Sequence, residues 1–443
     1  MRRRIVWAWC MYDWANSAYP LVISTALFPV YFSIVARDGS SNVVAFLGTS
    51  WQSASLYSLA IAVSYAVNAA LVPILSGIAD RSGWKKRFMA LFCSLGAIGC
   101  VGLALFDRRT LWLGLASAIL ASVGFNGSLV FYNAFLPEIA PPRLHDRISA
   151  RGFIFGYVGS SLLLIAVVAV LQFADRFGLG SSSEAAFVRI APWAFVAVAL
   201  WWRGFAEVTF RIVPERTVPV QPSLAVAIAS GWQAIRRAIA RARHDRVLAL
   251  FLLAYLSASM GVQSVILLAS VFGKQELRIA ESVLVGIIVM VQFVAAVGSW
   301  LCARLSEMLG NTRALAVIAA VWTAVCVAAF AIETPLQFAL LSAAVGLVLG
   351  GIQSQMRSTF SKLIAREPLH ASLFSLYDIA EKIGTTAGMA AFGLVVGVTG
   401  SLRIGALVLA SAFVGAIVLI ALFHANARAD DRYRRVTEPR RDR

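Results

Sequence analysis

The sequence predicts an all-α membrane protein: twelve transmembrane helices in two six-helix, pseudo-symmetric halves. Three observations carry that prediction. Twelve apolar stretches run almost end to end, near residues 14–36, 52–78, 88–106, 111–134, 149–173, 187–206, 247–272, 281–303, 313–332, 336–360, 371–397 and 402–424. About 20 apolar residues suffice for a helix to cross about 30 Å of hydrocarbon. With 60% hydrophobic residues and a mean hydropathy of +0.78, the chain has more apolar surface than a water-soluble globule could bury. The second observation is that basic residues crowd into alternate loops, and the third is a weak internal repeat.

About thirty of the 39 lysines and arginines fall on one side of the predicted bundle. They include Arg2 to Arg4, Arg81, Lys85 to Arg87, Arg143, Arg147 and Arg151, the arginines between Arg203 and Arg246, Arg304, Arg313, Arg357, Lys362, Arg366 and the tail. About eight lie on the other side, and Lys382 falls inside the eleventh span. The positive-inside rule then places both termini in the cytoplasm of a multi-pass inner-membrane protein. The net charge of +17 is spread over every second loop and forms no separate basic domain, so it points to topology and anionic lipid, not to nucleic acid.

In chain order, the Met-Arg-Arg-Arg start followed by an apolar run resembles a signal peptide, but Asp13, Asn16 and Tyr19 interrupt it and no small-residue cleavage site follows. The first span is expected to be retained. Tyr12 and Trp14 read as interfacial anchors. Between spans six and seven, Pro214, Pro219 and Pro222 suggest extended linker. Leu224, Ile228, Trp232, Ile235 and Ile239 then form the stripe of a basic amphipathic helix expected at the lipid surface. The expected units are 1–206, a linker at 207–246, 247–424 and a basic tail at 425–443. A shift of 225 residues lays Phe135, Ile139, Ala140, Leu144, His145 and Gly159 onto Phe360, Ile364, Ala365, Leu369, His370 and Gly384, at equivalent places in the two halves.

The loop between spans two and three reads Gly77-Ile-Ala-Asp80-Arg81-Ser-Gly83-Trp-Lys85-Lys86-Arg87. Gly77 permits close helix approach, Gly83 a tight turn, and Asp80 can meet a positive helix N-terminus. Gly77, Asp80, Arg81, Gly83 and Lys85 are therefore expected to form a gating loop. This pattern resembles the signature loop of the major facilitator superfamily. The counterpart in the second half, Cys302 to Arg313, keeps Glu307, Gly310 and Arg313 but lacks the leading glycine and the Asp-Arg pair, so a differently built gate is expected there.

Further strings narrow the resemblance. They are Tyr12-Asp13-Trp14-Ala15-Asn16-Ser17-Ala18-Tyr19 with Leu27-Phe28-Pro29, Tyr132-Asn133 with Leu136-Pro137-Glu138, Gln355-Met-Arg357-Ser358, and Tyr377-Asp378-Ile-Ala-Glu381-Lys382-Ile-Gly384. Together they resemble the branch related to the autophagy-associated vacuolar amino-acid effluxers and their bacterial permease relatives. The resemblance implies a permease for amino acids or related small metabolites. Two strings depart from it: no acidic residue precedes Gly261 in Tyr255-Leu-Ser257-Ala-Ser259-Met260, and Leu373-Phe374-Ser375 stands where Phe-Phe-Gly is expected.

Polar residues at lipid depth are costly and should face a partner or a cavity. Helices 1, 4, 7 and 10 surround the central cavity in the resembled superfamily. Asn16, Tyr19, Asn126, Asn133, Gln263 and Gln353 fall on those helices and are the expected cavity wall, suited to a neutral or zwitterionic solute. Arg357, Asp378, Glu381 and Lys382 form an expected charge cluster, with the proton as candidate coupling ion. Glu138 reads as a loop-organising carboxylate.

The leading function is secondary transport of a small solute by a monomer. A transporter-fold lipid flippase or membrane receptor is the alternative. No phosphate-binding GxxxxGK[ST] loop, nucleophile elbow or metal-spaced histidine cluster appears. Cys10, Cys93, Cys100, Cys302 and Cys326 make no CxxC pair, so neither an enzyme, a cofactor nor a metal is expected.

Overall fold

The computed structural model describes residues 2–37, 43–46, 48–174, 183–215, 224–433 and 438. Twelve helices in it are long and apolar enough to cross a membrane. In the first half these are α1 (Arg2–Ala36), α2 (Ser53–Ser82), α3 (Lys85–Ala104), α4 (Leu111–Ala134), α5 (His145–Gln172) and α6 (Ser183–Ile212). A linker helix α7 (Leu224–His244) follows. The second half holds α8 (Arg246–Gln275), α9 (Glu281–Leu309), α10 (Asn311–Ala328), α11 (Pro335–Leu363), α12 (His370–Thr399) and α13 (Leu402–Ala429).

Helix α1 starts well before residue 14, and its middle, Tyr19–Leu27, widens into a π-helical segment after Ser17. Proline at position 20, with no N–H to donate, falls at the entry to that segment. A small hairpin, β1 (Val43–Phe46) paired antiparallel with β2 (Thr49–Gln52), follows α1 and was not expected from hydropathy.

Helix ends follow ordinary capping chemistry. Gly83 ends α2 at φ +75° and Gly400 ends α12 at φ +66°, both left-handed positions that favour glycine. Thr334 and Gln337 form a capping box at the start of α11, and Asp245 caps α8.

The halves meet along two seams, α2 and α4 against α12, and α5 against α9 and α11. The first exchanges for the second when the halves are interchanged. Gly159 on α5 packs against Trp14 of α1, and Gly384 on α12 packs against Leu256 of α8, each against the first helix of its own half. Those glycines are two of the residues aligned by the 225-residue shift.

The linker helix also packs against the first half, which its apolar stripe alone did not indicate. It lies along α2, burying Gly231, Ala234, Ile235 and Ala238, while Trp232 and Ile239 are exposed. A side chain at Gly77 would come within 2.3 Å of the Gly231 carbonyl, so Gly77 serves this linker contact and not an approach between spans. Gly231 and the two alanines therefore set the closeness of the packing face, with Ile235 buried beside them and Trp232 and Ile239 left outside. The side chains of Leu224 and Ile228, and residues Pro219 and Pro222, lie outside the described residues.

Two aromatic residues also differ from expectation. Tyr12 is fully buried against Tyr132, and Trp14 stacks on Trp201 at 5.6 Å between centroids. Both are packing residues inside the first half, not interfacial anchors.

Candidate functional site

A cavity of about 370 Å³ lies between the two halves. Its floor is reached at Asp13 and Arg357, and its wall continues to Leu284 and Phe338, in the first turns of α9 and α11. Those turns follow loops on the face away from the chain termini. The cavity thus extends towards that opposite face, and packed side chains close it from the terminal face.

Five of the six expected wall residues line the cavity: Asn16, Asn126, Asn133, Gln263 and Gln353. Tyr19 does not. Its ring turns into the first half, 5.4 Å from Phe125 and 5.8 Å from Trp202, because the π-helical segment begins there and rotates the residue off the cavity face. The wall is also more charged than expected. Asp13 from α1, Arg357 from α11 and Glu381 and Lys382 from α12 all face it, two acids and two bases on a mainly apolar surface.

Arg357 and Asp13 make the floor. Both Arg357 terminal nitrogens donate to Asp13 Oδ2, at 3.2 and 3.1 Å, joining the halves. Its Nε donates to Ser149 Oγ at 2.9 Å and one terminal nitrogen to the Ser149 carbonyl at 2.8 Å. Tyr132 donates to the same Asp13 oxygen at 2.7 Å. The guanidinium also lies 4.2 Å from the Phe153 ring centre and 4.9 Å from that of Trp9. A buried pair is tolerated only when its remaining donors and acceptors are satisfied, and here most are. Gly152 makes the approach possible, since a Cβ there would sit 2.3 Å from Asp13 Oδ2.

Arg357 therefore does not join the expected charge cluster. On α12, Lys382 Nζ lies 3.7 Å from Asp378 and 3.6 Å from Glu381. The Glu381 carboxylate accepts from Tyr255 and from Gln263 of α8, both at 2.7 Å. Lys382 also lies 5.0 Å from the Tyr65 ring centre on α2, across the seam. Asp378 is buried but is not part of the cavity wall.

Among the described residues that line the cavity, Asn16 and Gln292 each have a side-chain atom without a hydrogen-bond partner, Nδ2 and Oε1, but both atoms are buried within the wall. Gln292 and Tyr157, whose hydroxyl donates to Gln353 at 2.7 Å, were missed by the sequence reading. Each sits on α9 or α5, helices from which no cavity residue was expected.

At the terminal face the Gly77–Arg87 loop and its counterparts join the two halves. Asp80 accepts from the Ala371 and Ser372 backbone N–H groups at 3.0 and 2.8 Å and from Ser372 Oγ at 2.8 Å. Lys85 pairs with Asp80 at 3.2 Å and with Glu138, which also meets His370 at 3.1 Å. Arg81 is exposed at the end of α2. On the other seam, Asp146 binds Lys362 at 2.5 Å and accepts from Asn311 and Ser358, while Arg147 pairs with Glu307. His145 contacts Ser361 at 3.0 Å. Both histidines of the repeat thus reach across to the opposite half.

Twelve helices in two halves around one central cavity define a transporter of the major facilitator superfamily. Solved structures share this fold, among them the major facilitator superfamily transporter FucP in the outward conformation, with TM-score 0.67, 14% identity and coverage of 95% of this chain and 98% of that one. The proton:xylose symporter XylE gives TM-score 0.67 at 14% identity and covers 95% of both chains.

The chain belongs to the family described as vacuole effluxer Atg22 like, whose sequence profile matches residues 1–431. It is 32% identical over 425 residues to an uncharacterized MFS-type transporter, YxiO, of Bacillus subtilis, covering 96% of this chain and 95% of that relative. It is 23% identical over 437 residues to autophagy-related protein 22 of Coccidioides immitis, covering 82% and 71%. It is thus a multi-pass membrane permease that carries a small solute.

Proposed function

We propose that the solute is neutral or zwitterionic, with amino acids or related small metabolites as the class, and that it moves by alternating access through the described cavity. The observation that carries this reading is the wall itself. Two acids and two bases balance one another, and the remaining surface is mainly apolar. A multiply charged solute of either sign would meet two wall charges of its own sign. The bodies that rock are 1–206 and 247–424, joined by 207–246 and followed by the tail 425–443, and the protein works as a monomer. Both termini lie in the cytoplasm of the inner membrane, in keeping with the loop charges. Testing takes purified protein in proteoliposomes, screened for uptake and exchange of amino acids, sugars and nucleosides. Flux of a sugar or nucleoside with none of any amino acid would overturn the substrate class.

The proton is the coupling ion in this reading, and Glu381 is its acceptor. Glu381 lines the cavity, where a proton can arrive, and holds Lys382 together with Asp378. The charged and titratable groups facing it are Tyr255 from α8, Tyr65 from α2 beyond Lys382, and Asp378, Lys382 and Tyr377 of its own helix. Protonation would remove the carboxylate that Tyr255, Gln263 and Lys382 share and release α8 from α12. Glu381→Gln should therefore transport at a rate independent of pH, where the parent rate rises and falls with it. An unaltered pH profile in that variant would assign the cluster to scaffolding.

A further inference from the structure

A groove of about 140 Å³ opens on the seam between α5 and α9, near the terminal face and apart from the transport cavity. Arg147, Arg151 and Ile154 line it from the first half, and Trp300, Arg304 and Glu307 from the second. Arg147 and Glu307 neutralise one another across the seam. Arg151 and Arg304 do not: both are exposed, and among the described residues neither has an ion-pair partner. Arg304 instead rests 5.6 Å from the centre of the Trp300 ring. The groove thus presents two unpaired cations, one from each half.

Its surroundings indicate which anion. Along α9, Val297, Trp300 and Leu301 are exposed at 54%, 52% and 44%, on a helix apolar enough to span the membrane. Such residues face acyl chains, and a tryptophan followed by arginine marks the level at which hydrocarbon gives way to headgroups. A phosphate at that level, with its acyl chains along Trp300 and Ile154, would satisfy both arginines.

We propose that this groove binds the phosphate of an anionic phospholipid, which clamps α5 to α9 and holds the terminal face closed. Bridging is the decisive feature. Separation of the halves on this face pulls Arg151 from Arg304, so a ligand held by both binds the closed arrangement better and must favour it. The proposal concerns closure alone and stands whatever the solute.

The test uses the full chain with spin labels at Arg211→Cys and Arg366→Cys, exposed positions on the terminal ends of the two halves, since the five native cysteines are buried. Distances between the labels are measured in nanodiscs of phosphatidylcholine alone, of phosphatidylcholine with one part in about three of phosphatidylglycerol, and of phosphatidylcholine with soluble glycerol phosphate. Phosphatidylglycerol should raise the closed, short-distance population, and glycerol phosphate should not. The Arg151→Gln/Arg304→Gln variant should lose the response and, by native mass spectrometry, retain phosphatidylglycerol roughly thirtyfold less well, as expected for two interfacial arginines. Arg151→Lys/Arg304→Lys should restore much of both.

Identical distances in the two lipids would overturn the proposal. So would an undiminished response in the glutamine variant, a shift caused by glycerol phosphate alone, or retention of phosphatidylglycerol by the parent no better than of phosphatidylcholine.

Discussion

The two seams that close the terminal face occupy equivalent positions and are built from different chemistry. At the α2–α12 seam, Asp80 reaches the N-terminus of α12 and takes two backbone N–H groups and a hydroxyl, with its side chain completely buried. At the α5–α9 seam the corresponding acid, Glu307, pairs with the Arg147 side chain, which is 43% exposed. A backbone N-terminus is rigid and carries a fixed partial positive charge, whereas an exposed arginine gives up side-chain entropy to hold one geometry. The second seam compensates deeper down, where Asp146 binds Lys362, Asn311 and Ser358 out of solvent. One seam thus rests on a capped helix end, and the other on a buried ion pair.

Three substitutions separate these contributions. The largest effect belongs to Asp146→Asn. Breaking a buried pair strands Lys362, at a cost of about 3–5 kcal/mol to the closed arrangement. Thermal unfolding in detergent should show a lower midpoint, and a label placed at the cavity floor should become reachable from the terminal side. A variant as stable and as closed as the parent would remove Asp146–Lys362 from the gate.

Asp80→Asn keeps the shape but removes the charge at the end of α12, costing up to about 2 kcal/mol. At about 1.4 kcal/mol per tenfold, the open population should rise by roughly ten- to thirtyfold. Single-molecule distance distributions across the terminal face would register that change. An unmoved distribution would mean that the Ser372 hydroxyl and backbone contacts suffice without charge.

Glu307→Gln should do least, below about 1 kcal/mol and diminishing with salt, because its partner is solvated. If it opened the face as far as Asp80→Asn, the two seams would be energetically equivalent and the contrast between them would fail.

Much of the fold was legible because its signals are local. Hydropathy along each span and the Gly77–Arg87 loop are readable without knowing what each helix touches, and so was the expectation of a differently built second gate. The expected cavity wall was largely placed, since polar residues at lipid depth face inward and five of six do so here. Tyr19 failed because a π-helical segment breaks the 3.6-residue period on which its facing was judged. The packing of the linker helix was not legible for another reason. Its large apolar residues suggested a lipid face, but Gly231 and its neighbouring alanines allow a closer approach to α2 than those larger side chains would.

By itself, then, the sequence determined the twelve spans, their family and the residue types available at membrane depth, because burial in hydrocarbon acts on each segment separately. Only the tertiary structure decided who pairs with whom. Arg357 looked like a neighbour of the α12 cluster, yet it binds Asp13, 344 residues away, on the cavity floor. Likewise His145 and His370 were aligned by the repeat, but that each joins the opposite half was not. No local periodicity encodes such contacts. They follow from two similar halves meeting face to face, where each buried charge settles on whichever partner the packing brings within reach.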